Sequence, residues 1–163
     1  MSAGAAPPRA GIRPASARDL HAVLALWIEL TRHHEPLDPL FRLRDGAEAE
    51  LRELLRAALR DPDARVLLHE SGGAPDGLCI VRVDRAPPIY RETERAEITD
   101  LGVRAAVRRR GIGRALAEEA LAWVRARGVG RIEVRVVSAN AEGRAFWRAL
   151  GFAPFVDVLQ RRL

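Results

Sequence analysis

The chain has 163 residues, a formal net charge of +5, 48% hydrophobic and 30% charged residues, which is the length and composition of one ordinary globular domain. Cys79 is the single cysteine, so an internal disulfide and a cysteine-built zinc site are excluded. Lysine is absent, which removes P-loop phosphate binding and Schiff-base catalysis.

Residues 1–9 are rich in Ala, Pro and Gly and are expected to be a disordered segment ahead of a single domain over 10–163. No apolar core of a signal peptide occurs there. The longest uninterrupted apolar run, residues 22–28, is far short of the roughly 20 residues that span a bilayer. A cytoplasmic protein without membrane contact is expected. Residues 12–15 suit a short first strand. Ser16 and Asp19 form a capping-box pattern, and the helix it opens carries Leu20, Val23, Leu24, Trp27 and Ile28 on one face, ending near 31–34. Pro36 and Pro39 make a loop, and a second helix covers 47–60 with Leu51, Leu54, Leu55 and Ala58 aligned.

Strands are expected over 66–70 and 78–84, joined by the turn-rich 71–77. Pro87 and Pro88 mark a loop, and 95–103 is a further strand. A strong helix fills 111–127, closed by Gly128. Ile132, Val134 and Val136 alternate with charged residues as a half-buried strand. A short helix over 140–150 ends at Gly151, and 155–163 suits a last strand. The order β-α-α-β-β-β-α-β-α-β predicts an α/β (α+β) fold with a mixed, partly antiparallel central sheet and flanking helices.

The sharpest chemical signal is Leu101-Gly102-Val103-Arg104-Ala105-Ala106-Val107-Arg108-Arg109-Arg110-Gly111-Ile112-Gly113-Arg114. A strand ends, five arginines gather without one acid, and two glycines precede a helix. A helix start carries unpaired N–H groups and partial positive charge. Glycines let a phosphate reach the backbone, and arginines add bidentate contacts. The pattern points to a di- or polyphosphate ligand. The dinucleotide fingerprint fits poorly, because Leu116 stands at its third glycine.

Arg108-x-x-Gly111-x-Gly113 resembles the acyl-CoA-binding motif of the GNAT N-acyltransferase superfamily. The resemblance extends through Asp100-Leu101-Gly102-Val103, Ser138-Ala139-Asn140, Ala145-Phe146-Trp147 and Leu150-Gly151-Phe152. It implies the GNAT fold and an N-acetyltransferase that moves an acetyl group from acetyl-CoA to a primary amine by direct attack. Acetyl-CoA would lie where the strands over 95–103 and 131–137 splay apart. Leu101 and Val103 would pair with the pantetheine arm, and the backbone of 109–114 would hold the pyrophosphate. Asn140 would hydrogen-bond the cofactor, and Trp147 would wall its channel or pack. No metal is implied, and a homodimer is common in such proteins.

Glu97 and Asp100 are candidate bases. Regular alternation puts them on opposite faces, unless a bulge near Gly102 changes that. Trp147 stands where many members carry a tyrosine, and indole has no accessible acid chemistry. Protonation of the leaving thiolate would then come from water, from Tyr90 or from no specific group. The loop His33-His34-Glu35-Pro36-Leu37-Asp38-Pro39-Leu40-Phe41 is assigned to a small-molecule or peptide amine substrate. Its histidines lack metal-ligand spacing. His21 and His69 read as partnerless structural residues, and Cys79 as a small buried one. Two other functions stay open: a GNAT-fold acyl-CoA binder without catalysis, and a nucleic-acid binder suggested by the positive charge. The second lacks interleaved aromatics and zinc-finger spacing, and its arginine content reads as codon bias.

Overall fold

The computed structural model describes residues 11–161. The expected disordered stretch over 1–9 lies outside the described residues. Five strands form one sheet in chain order: β1 (Ile12–Pro14), β2 (Ala64–Ser71), β3 (Ala74–Arg85), β4 (Glu94–Val103) and β5 (Ile132–Val134). β1 to β4 pair antiparallel, and β4 pairs with β5 in parallel. The helices are α1 (Leu20–Arg32), α2 (Ala47–Arg60), α3 (Ile112–Ala126) and α4 (Ala141–Ala149).

Period-two alternation sorts the strand side chains into two cores. Leu67, Cys79, Val81, Val83, Ala96 and Ile98 meet Leu116, Ala120 and Val124 of α3 on one face. Val66, Leu68, Leu78 and Ile80 meet Val23, Leu24 and Leu26 of α1 and Leu51 and Leu55 of α2 on the other. At the start of α1 the Asp19 carboxylate accepts from the Ser16 backbone N–H at 2.7 Å and its hydroxyl at 2.9 Å. This capping pattern opens a 3-10 turn at Ala17–Asp19 that runs into α1. Gly128 (φ +75°) and Gly151 (φ +89°) end α3 and α4 in the left-handed conformation that a side chain resists.

Gly102 sets the distance between α1 and the sheet. A Cβ there would lie 2.6 Å from Leu30 Cδ1, closer than carbon atoms approach. Gly102→Val is expected to destabilise the fold by roughly 1–3 kcal/mol, the usual cost of overpacking. Urea unfolding checks it, and adding Leu30→Ala should recover part of the loss. A stability equal to wild type would show that α1 shifts freely.

Two strand expectations are corrected. Residues 152–161 form no strand, and 162–163 lie outside the described residues. A strand needs a hydrogen-bonding neighbour, and β5 offers only three residues. Phe155, Val156, Val158 and Leu159 stay exposed there. The strand expected around 131–137 is ordered as β5 over its first half alone, because the chain leaves the ladder after Val134.

Candidate active site at the split between two parallel strands

The departure of β5 makes the site. Its register with β4 runs from Ala96↔Ile132 to Ile98↔Val134 and stops. β4 continues to Val103, so one edge of residues 99–103 faces no strand among the described residues. That edge offers an extended ligand backbone-type hydrogen bonds in the manner of an added strand. The carbonyl of Val103 already accepts from Arg108 Nε at 2.8 Å.

At the foot of this split the chain turns through a 3-10 element, Ala105–Val107, into α3. Arg109 has φ +62°, the one described non-glycine residue with positive φ, and Gly111 has φ +82°. Alternating left-handed residues turn successive N–H groups toward one point, an anion-binding nest. The N–H of Ala115 is the first of the helix to find an acceptor, Gly111 O at 3.0 Å. The N–H groups of residues 109–114 have no protein acceptor among the described residues. Six adjacent unpaired donors, the dipole of a 15-residue helix and the arginines around them fit a pyrophosphate. Gly113 leaves room: a Cβ there would sit 3.6 Å from Phe146 and 3.7 Å from Leu101. Ile112 is buried against Gly77. Arg109 pairs with Glu142 at 2.9 Å and Arg114 with Glu118 at 3.7 Å, while no ion pair engages Arg110 among the described residues.

Asn140 caps α4, its Oδ1 accepting from the Gly143 N–H at 2.8 Å. Its Nδ2 keeps no protein partner among the described residues, so capping and ligand contact are compatible. Trp147 is 8% exposed and packs edge-on between Phe146 and Phe152, each 5.0 Å away. It belongs to the core under β4 and α3.

The two candidate carboxylates come to one face, through a bulge at Thr99 rather than at Gly102. Val81 pairs with Ile98 and Ile80 with Asp100, so Thr99 is the extra residue. Glu97 lies opposite Arg82, and Asp100 opposite Ile80, both on the side covered by α1 and α2. Asp100 Oδ1 accepts from the indole N–H of Trp27 at 2.8 Å, and Oδ2 from the Thr99 hydroxyl at 2.7 Å. Burial pushes the Asp100 carboxyl above the usual range, against the opposing hydrogen bonds of Thr99 and Trp27 and the charges of His34 and Arg82. Glu97 is 7% exposed and stands 3.6 Å from Arg82 Nη2 and 3.4 Å from Arg135 Nε.

The Trp27 contact with Asp100 is the feature of this candidate site that the sequence does not show. Trp27 counts there only as an apolar face residue of α1, and its partner lies 73 residues away. A tryptophan on a helix face does carry a donor that needs an acceptor when covered, which is the available hint. Tyr90 is 63% exposed on the loop between β3 and β4. That loop rejoins the sheet at Glu94, about 20 Å along β4 from Asp100, and the structure does not bring the two together. His33 Nε2 stands 3.3 Å from Arg108 Nη1. Desolvation first, then the Arg108 charge, holds its pKa down, so it meets the guanidinium as a neutral acceptor. His34 donates from Nδ1 to Leu30 O at 3.2 Å and rests on Phe41. His69 is corrected from partnerless: its Nδ1 is 2.5 Å from Asp76 Oδ1, and Ser71 donates to the other oxygen. This network staples the β2–β3 hairpin. Cys79 is fully buried, and desolvation raises its thiol pKa far out of the reactive range. Among the described residues no group of three or more His, Cys, Asp or Glu could hold a metal ion, and no helix is long and apolar enough to cross a membrane.

Fold and site together define an α/β protein with a phosphate-type nest at the foot of a split sheet. Residues 25–152 match the Acetyltransferase (GNAT) family, and the chain belongs to that family. It is 38% identical over 94 residues to the mycothiol acetyltransferase of Beutenbergia cavernae, a match covering 58% of this chain and 30% of that protein. The chain thus aligns with under a third of that relative's length. A mutant of the BH1408 protein from Bacillus halodurans superposes with TM-score 0.82 at 22% identity, covering 93% of this chain and 98% of that one. An aminoglycoside antibiotic 6'-N-acetyltransferase from Acinetobacter haemolyticus superposes with TM-score 0.74 at 20% identity, covering 93% and 97%. These structures share the fold.

Proposed function

We propose that the protein is an acetyl-CoA-dependent N-acetyltransferase that acylates a primary amine by direct attack within a ternary complex. The observation that carries this reading is the nest of unpaired N–H groups over 109–114 beside the unpaired edge of β4. Membership of the acetyltransferase family supports it, as does the acetyltransferase relative. Residues 109–114 and the Arg108, Arg110 and Arg114 side chains would hold the pyrophosphate. The backbone of Leu101 and the N–H of Val103 would hold the pantetheine arm, with Asn140 Nδ2 and Trp147 beside it.

Bound acetyl-CoA supplies the activated acetyl thioester. The amine must lose a proton to attack, and Asp100 accepts it. The bulge turns Asp100 to the face shared with α1, and Trp27 and Thr99 fix its two oxygens. A raised pKa makes it a better proton acceptor than an ordinary exposed carboxylate. The new C–N bond forms as the C–S bond breaks, and the leaving thiolate takes a proton from water. Glu97 is the second candidate base, held between two arginines. Tyr90 would need its loop to fold over the cleft to act as the acid. The same reading sets the protein in the cytoplasm. It also admits a homodimer, which the exposed Phe155, Val156, Val158 and Leu159 support and light scattering tests.

Calorimetric titration with acetyl-CoA should give saturable micromolar binding, with dephospho-CoA and ATP as weaker comparators. A free-thiol assay with mixed amines should then show acetyl-CoA-dependent release. No binding by folded protein would overturn the reading. Binding without thiol release would favour the non-catalytic acyl-CoA binder, for which Trp147 in the core, where a tyrosine acid is often found, is the supporting observation.

A further inference from the structure

The face of the sheet that carries Asp100 is only partly covered. The core under α1 and α2 reaches Ile80 on β3 and goes no further along that strand. Beyond Ile80 the same face carries Arg82 and Asp84 on β3, Arg95 and Glu97 on β4, Glu133 on β5, and Arg135 just past it. Most of these charges are consumed locally. Arg95 donates to Glu133 and stands 3.7 Å from Asp84.

Arg82 and Arg135 differ. Arg82 is 3.4 Å from Asp84 and 3.6 Å from Glu97, and Arg135 is 3.4 Å from Glu97. These are ion pairs, and neither guanidinium makes a hydrogen bond among the described residues. Their side chains are 51% and 76% exposed, while the Glu97 carboxylate between them is 9% exposed. One buried carboxylate therefore faces two guanidiniums whose forked donors are unspent. A guanidinium fork matches a carboxylate in geometry and charge. Arg82 also lies close enough to Asp100 to oppose the upward shift of its pKa.

We propose that Arg82 and Arg135 form a carboxylate-binding subsite beside Asp100, so that the acceptor is an amine that itself bears a carboxylate, as an α-amino acid does. The inference rests on the acetyl-transfer reading above. Asp100 receives the amine end, at the Thr99 bulge. The two arginines hold the other end across the mouth of the split strands. A purely cationic amine would gain nothing from the guanidinium forks of this pair.

The test pairs common α-amino acids with their α-carboxamides. Binding of each pair to the protein without acetyl-CoA is measured by calorimetry, and acetyl-CoA-dependent thiol release is measured at one pH. The carboxamides have the less basic amines, so amine ionisation alone favours them. For at least one pair, the carboxylate-bearing member should bind and turn over about ten- to a hundredfold better in kcat/KM. Arg135→Gln and Arg82→Gln should each erase most of that ratio through KM, with Arg135→Lys recovering part. Thiol release with no preference, or with a preference for the carboxamides, would overturn this proposal alone. Absence of release with every amine, together with absence of acetyl-CoA binding, would overturn the transfer reading and this one with it.

Discussion

Gly113→Asp is expected to raise the Kd for acetyl-CoA by about a hundred- to a thousandfold while the protein stays folded. Residue 113 is the second of α3 and has ordinary helical backbone, so an L side chain fits its conformation. Its Cβ would make van der Waals contact with Phe146 and Leu101 at 3.6–3.7 Å, so no clash forces the helix away. An acidic group in the first turn even favours the helix dipole. The loss falls on the ligand. The carboxylate competes for the N–H groups of 109–114 and repels a bound pyrophosphate. Like charges about 4 Å apart near a protein surface cost about 4 kcal/mol, and less in salt. Gly113→Ala adds the methyl without the charge and should bind within a few-fold of wild type. Calorimetry reads both variants, and a thermal melt checks folding. Retained affinity in Gly113→Asp would place the anion site elsewhere.

Much of this site is legible in the sequence because its parts are local. Gly111 and Gly113 mark a helix start within three residues, and Arg108 to Arg110 stand beside them, so chemistry and spacing coincide. Asn140 caps a helix that Gly151 ends, again over one short segment. The helices over 47–60 and 112–126 follow from apolar periodicity, and the hairpin from the turn residues between β2 and β3.

What fails to show in the sequence depends on partners. The bulge at Thr99 exists because β3 pairs Ile80 with Asp100 and Val81 with Ile98, and nothing in residues 95–103 states that register. Without it, Glu97 and Asp100 fall on opposite faces. The bond from Trp27 to Asp100 joins α1 to β4 across 73 residues, and the His69–Asp76 contact joins two strands across a turn. Residues 155–161 have a strand's composition, yet a strand is made by its neighbour, and the short β5 gives them none. Glu97 looked like a base in isolation. Its two arginines come from β3 and from the stretch after β5, and only the assembled sheet shows them converging.

Asp100→Asn is expected to lower kcat by about 10²- to 10⁴-fold, the range for removing a positioned general base, with little change in acetyl-CoA affinity. Asparagine keeps an oxygen for the Trp27 indole at nearly the same shape, so the change removes proton-accepting capacity rather than packing. The pH dependence separates the two. Asp100 acts when deprotonated, and burial raises its pKa, so wild-type kcat/KM should climb with pH along a limb set above the ordinary carboxylate range. Asp100→Asn should lose that limb. Stability should move the other way. A carboxyl whose pKa is higher folded than unfolded binds protons more tightly in the native state, so its ionisation weakens the fold as pH rises through that interval. Above it, Asp100→Asn should be as stable as wild type or more so in urea unfolding. A variant that is slower yet no less stable is the mark of a group kept for chemistry. Full activity with the limb intact would remove Asp100 as the base, and Glu97→Gln would then have to show the loss. Where Asp100→Asn does lose the limb, a Glu97→Gln variant that weakens the fold but keeps the wild-type pH profile would make Glu97 the counter-charge that holds Arg82 and Arg135 together, with the proton passing through Asp100 alone.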